Sequence, residues 1–153
     1  MTPSRDKRLR KLVELRTRVL DQKRLELAQA GAAQRTAQVA TLEASAALVA
    51  AHAHRAELSA TGAAAERWSD VDRWQTARQA ALDAAQAAEA DARAKVELAR
   101  RRVIAAQTDV ASIEALLERI LTAERKAEDR IEQKASDELS SVRVAARNAS
   151  QAR

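Results

Sequence analysis

From Ala92 to Ile120 the chain places an apolar residue at every alternate fourth and third position, and neither Gly nor Pro interrupts the run. A 3.5-residue repeat keeps one stripe turned toward a partner along a supercoiled helix, which is how coiled coils are built. The same steps reach back through Glu89, Ala85, Leu82, Arg78, Gln75 and Val71 to Trp68, and forward through Glu124 and Ala127 to Ile131. A helix over about residues 68 to 148 would be roughly 120 Å long at 1.5 Å per residue. It cannot bury such a stripe alone, so a second helix must cover it.

Composition closes off the alternatives. The 153 residues include two Trp but no Phe or Tyr, two Gly and one Pro. Strands, turns and a wide core draw on the residues that are scarce here. Hydrophobic residues make up 46% of the chain, but Ala dominates them, and Ala favours helix while burying little surface. Charged residues of both signs make up 32%, the mixture expected of a solvated coiled-coil exterior. The expected fold class is all-α, a long two-helix antiparallel coiled-coil hairpin.

The absence of Cys excludes disulfides and thiolate metal sites and fits a reducing cytosol. Met1–Lys11 is basic, with no apolar segment after it of the kind a secretory signal needs. The longest nearly unbroken apolar run, Ala44–Ala51, is interrupted by Ser45 and falls far short of the roughly 20 residues that span a bilayer. The expected protein is soluble and intracellular, with no direct membrane insertion.

Helix one is expected over about 3–61. Thr2 suits the N-cap and Pro3 the first helical position. Leu9, Val13, Leu20 and Leu27 share one face, which Leu12, Leu15 and Val19 widen. Between Met1 and Leu25 nine Lys or Arg face three acids, an excess of six where the whole chain has +5. That charge fits a solvated face and, equally, a docking surface for an acidic partner. After Gly31 the clean stripe shifts to Val39, Leu42, Ala46, Val49, Ala53, Ala56 and Ala60. Gly31 then marks a register slip or a close backbone approach, unless it is simply tolerated.

Gly62 is the expected end of helix one. Ser69 with Asp72 forms a capping-box-like start for helix two, so the turn is placed at about 60–68 and helix two at about 69–148. A short connection makes the helices antiparallel neighbours. Folding there sets the N-terminus opposite roughly residue 130 and leaves the C-terminal residues overhanging.

His52 and His54 do not form a helical metal pair, because residues two apart point to different sides. No cofactor or metal is expected. Trp68 falls on the seam and plugs the hairpin end. Trp74 flanks it, open to contact with a partner or to partial burial. Arg100, Arg101 and Arg102 project to different sides among acids such as Glu97 and Asp109, unlike a nucleic-acid-binding stripe. Leu116 and Leu121 lie outside the strict seam and suggest contact with something besides helix one. No Gly-rich phosphate loop and no nucleophile with a His and an acid nearby is present, so an enzyme is not expected.

The C-terminal run Glu132-Gln133-Lys134, followed by Asp137-Glu138, resembles the end of the FliJ/YscO family, central-stalk proteins of type III secretion ATPases. Arg8-Leu9, Leu12, Leu15-Arg16, Leu20, Ala28 and Ala30 are similar to that family's opening. The resemblance covers nearly the whole chain and departs at Ala135-Ser136 and in the missing Phe and Tyr near the tip. It implies a shaft like the rotor subunit of F-type ATPases, cytoplasmic and peripheral to the inner-membrane secretion apparatus. Its paired termini would enter a hexameric secretion ATPase and its tip would approach the export-gate cytoplasmic domain. Secretion chaperones are a third implied partner class. By position, the ATPase-binding residues would be Leu9, Leu12, Arg16, Glu132, Gln133, Lys134, Asp137 and Glu138, and the gate-binding residues Trp74 and Arg78.

Two alternatives remain open from the residues alone: a self-associating coiled-coil spacer, and a basic helical protein that binds nucleic acid. Low aromatic content leans toward an injectisome rather than a flagellar system. An intramolecular hairpin and an intermolecular bundle share the same heptads.

Overall fold

The computed structural model describes residues 3–62 and 64–151, and the side chains of 7–62 and 64–148. Helix α1 spans Pro3–Thr61 and helix α2 spans Ala65–Gln151, and the two pack against each other as a helical hairpin. Pro3 opens α1, where its missing N–H removes no helical bond. Thr2, the expected N-cap, lies outside the described residues.

The reversal is short. Thr61 Oγ1 donates to the carbonyls of Glu57 and Leu58 at 3.2 Å, and Gly62 follows with φ +68°. A left-handed residue after the last helical turn satisfies the terminal carbonyls, and only Gly adopts it without a Cβ penalty. Helix α2 is already formed at Ala65, four residues before the expected start at Ser69. Ala65-Glu66-Arg67-Trp68 is helix-compatible throughout, and Glu66 places negative charge at the positive end of the helix dipole. Ser69 and Asp72 are therefore interior residues of α2, not a cap.

The chain divides into two compact units, Val19–Gln107 and Met1–Arg18 with Thr108–Arg153. In the first of these, Val71, Val96, Ala99, Val103 and Ala106 of the α2 seam are buried, and Leu82, Ala85 and Ala92 are half-buried between them. Arg78, although on the seam, is exposed. Opposite, α1 turns in Leu20, Leu27, Ala30, Gln34, Ala37, Thr41, Ala44, Leu48, Ala51 and Leu58. Those positions continue the phase of Leu20 in steps of three and four straight past Gly31.

The stripe expected after Gly31 points the other way. Val39, Leu42 and Val49 are 52%, 70% and 64% exposed, and Ala46, Ala53, Ala56 and Ala60 are exposed with them. Residues two apart lie about 200° apart around a helix, so this stripe and the inward one occupy opposite faces of α1. Continuity with Leu20 and Leu27 outweighs the larger side chains of the outer stripe, because turning it inward would need a break in α1 that the helix does not have. Gly31 is accordingly unremarkable: a Cβ there would meet only Arg35 Nη1, at 3.7 Å. Neither a register slip nor a close backbone approach occurs at it.

In the unit made of both chain ends, Leu9, Val13 and Thr17 of α1 face Val110, Ile113, Leu117, Ile120 and Leu121 of α2. Arg16 Nη1 contacts Asp109 Oδ2 at 3.3 Å, which sets the register and puts Pro3 level with about Thr122 rather than residue 130. Beyond Glu124 every described side chain of α2 is exposed as far as Asn148. Ala127 and Ile131 therefore leave the seam, because α1 has ended before it reaches them.

Candidate functional site

The hairpin end gathers several polar side chains that bridge α1 and α2. Arg55 Nη1 reaches Asp72 Oδ1 and Gln75 Oε1, both at 2.8 Å, and Gln75 Nε2 meets His52 Nδ1. The Arg55 guanidinium also lies 5.8 Å from the Trp68 ring centroid, within cation–π range. Trp68 is half-buried, so the two residues plug the end of the hairpin together. His54 turns away from His52 and meets Trp74 edge-on, with ring centroids 5.8 Å apart and planes at 83°.

Trp74 remains 36% exposed, with Arg78 stacked 5.7 Å over its ring and His54 against its edge. Its rotamer is held by neighbours before any partner arrives, which lowers the ordering cost of using it in an interface. A shallow hollow beside it is lined by His54, Asp70, Val71 and Trp74. The structure thus brings the two expected gate-binding residues together. It adds His54, which its spacing to Trp74 across the turn did not announce.

The expected ATPase-binding residues are not all brought together. Leu9 is half-buried toward α2, and Arg16 is already paired with Asp109. Leu12 is 39% exposed and faces away from the seam. Glu132, Gln133, Lys134, Asp137 and Glu138 are exposed, with Gln133 Nε2 donating to Asp137 Oδ1 at 3.0 Å. Leu9 is level with about Leu116, so Glu132 stands about 24 Å farther along α2. The basic first turns lie beside Glu114–Ile120 instead of beside the Glu-Gln-Lys run.

A groove at that level was not foreseen. Val13, Leu117 and Leu121 form its floor, with Arg10, Glu14, Glu118 and Arg125 around it. Leu121 thus belongs to the hairpin itself, whereas Leu116 is 48% exposed. Elsewhere cations and acids neutralise one another along the helices: Arg100 pairs with Glu97 at 2.8 Å and Arg93 with Glu89 at 3.1 Å. The basic triplet makes no continuous stripe. Among the described residues no group of three His, Cys, Asp or Glu is placed to hold a metal, and no helix is long and apolar enough to cross a membrane.

A hairpin of two long helices with its polar side chains on outward faces is built for contacts along its surface, a form shared by coiled-coil proteins of several roles. The profile of the family described as Flagellar FliJ protein matches residues 5–149, and the chain belongs to that family. No curated protein and no solved structure matches it. The family is one of structural stalk proteins of flagellar and type III secretion systems, on the cytoplasmic side of the export apparatus, and is not a known enzyme family. Its members interact in general with the secretion or flagellar ATPase and with export components.

Proposed function

We propose that the chain is the non-enzymatic central stalk of a bacterial type III secretion ATPase, coupling the hexameric ATPase to the export gate. The observation that carries this function is the open end of the hairpin. There α2 runs on from Arg125 past the described part of α1, with every described side chain exposed as far as Asn148, including Ile131 at 68%, Leu139 at 61% and Val142 at 66%. Large apolar side chains on an unpaired helix are what an enclosing ring would cover. Six acids and six bases alternate over residues 124–151, suiting a bearing lined with both signs.

The ATPase contact would use Leu12, Ile131 and the Glu132–Glu138 run. Leu9 and Arg16 support it from within the hairpin. The gate contact would use Trp74 with Arg78 beside the turn, and secretion chaperones are a further partner class. Leu12→Asp is the sharpest test, since Leu12 is not needed to close the seam. The variant is expected to lose capture of the secretion ATPase while its helicity by circular dichroism is unchanged. Undiminished capture would remove this surface from the contact.

A further inference from the structure

Helix α1 carries two apolar stripes of the same 3.5-residue period on opposite faces, and α2 covers only one of them. The uncovered stripe is Val39, Leu42, Ala46, Val49, Ala53, Ala56 and Ala60, with its three large members more than half exposed. Charge is sparse around it. In a chain that is 32% charged, Glu43 is the sole Asp, Glu, Lys or Arg between Arg35 and Arg55. A partner recognised by electrostatic complementarity has almost nothing to hold there. A strict alternation of three and four over seven positions instead calls for another helix.

The order of large and small residues says which helix. Laid antiparallel against itself about a two-fold axis between Ala47 and Leu48, the stripe matches Val39 with Ala56, Leu42 with Ala53, and Ala46 with Val49. Symmetry repeats each match, so six layers form and every one sets a large side chain against an Ala. Sliding by one heptad sets Val against Val, or Ala against Ala. Parallel pairing does worse, alternating Leu–Leu and Val–Val layers with empty Ala–Ala ones that cannot share one interhelical distance. In the antiparallel register Glu43 flanks Ala50 and Glu57 flanks Thr36 of the other copy, so no like charges are opposed. A surface complementary to itself under a two-fold is the requirement for an isologous dimer.

We propose that this face of α1 is a homodimer interface, with a second copy of the chain docked antiparallel over residues 39–56. The inference does not rest on the stalk function and uses none of the residues assigned to it. Sedimentation equilibrium of the full chain across the micromolar range is expected to show a monomer–dimer equilibrium. Leu42→Asp is expected to weaken it at least about tenfold, because dimerisation would bury an unpaired carboxylate, while circular dichroism stays unchanged.

The chain has no cysteine, so orientation can be read directly. An oxidised mixture of Leu42→Cys and Ala53→Cys chains is expected to give a disulfide-linked heterodimer. Either variant alone is not, since its like thiols would sit about 16 Å apart along the axis. A monomer at all concentrations, a dimer indifferent to Leu42→Asp, or cross-linking of Leu42→Cys by itself would overturn the proposal.

Discussion

Over Val96–Ala106 helix α2 buries Val96, Ala99, Val103 and Ala106, whereas over Arg125–Asn148 it buries nothing, although Ile131, Leu139, Val142 and Val144 are as apolar. Both stretches are helical and both carry Val, Ile or Leu side chains. What differs is whether α1 lies alongside. A seam is thus half a structure: it states that a partner is needed and leaves open which partner, and for the second stretch none of the described residues covers it. The first stretch should govern folding and the second should be free for binding.

The largest expected effect tests that division. Val103→Asp puts a carboxylate where α1 and α2 meet and should cost about 3 kcal/mol or more, enough to abolish a cooperative melt. Val142→Asp, at a position 66% exposed, should stay within about 0.5 kcal/mol of the parent chain. Equal effects in thermal denaturation would erase the distinction between the stretches. Gly62→Ala comes next. Forcing a Cβ into φ +68° should destabilise by about 1–2 kcal/mol through backbone strain alone, because nothing lies within 4 Å of that Cβ.

Gly31→Ala should act in the opposite sense, raising stability by about 0.5–1 kcal/mol in urea titrations, since the site is ordinary helix with room for a methyl group. A loss instead would mean that the facing backbone does approach there. The smallest effect belongs to the Arg55–Asp72 pair. With side chains 46% and 55% exposed, its double-mutant coupling should be below about 1 kcal/mol and shrink with added salt.

Helix α2 was legible in the sequence because its seam is both apolar and in phase from Val96 to Ile120, so size and period agree. In α1 they disagree. Beyond Gly31 the larger residues, Val39, Leu42 and Val49, lie on one face, while the phase inherited from Leu20 and Leu27 runs through Ala37, Thr41 and Ala44 on the other. Choosing by size picks the outer stripe. A straight helix cannot rotate its inner face midway, and that continuity is what a residue-by-residue count does not weigh. The start of α2 was missed for a related reason: a capping signature at Ser69 is optional when the four residues before it already favour helix.

The closeness of Trp74 and Arg78 could be read from their four-residue spacing on one helix, whereas His54 against the Trp74 edge could not. The Glu132–Glu138 run was joined to Leu9 only through the resemblance; the expected register already left it overhanging, and the Arg16–Asp109 contact moves it about six residues farther.

The buried residues also determine how the chain responds to temperature. They comprise one Leu, three Val and three Ala among the described residues, and the other Leu and Ile of the seam are only half-buried, so unfolding exposes less new apolar surface per residue than in a domain with a wide core. The heat-capacity increment per residue should then fall below the usual value of about 12–15 cal/mol/K, flattening the stability curve. Such a molecule keeps much the same modest stability over a wide span of temperatures.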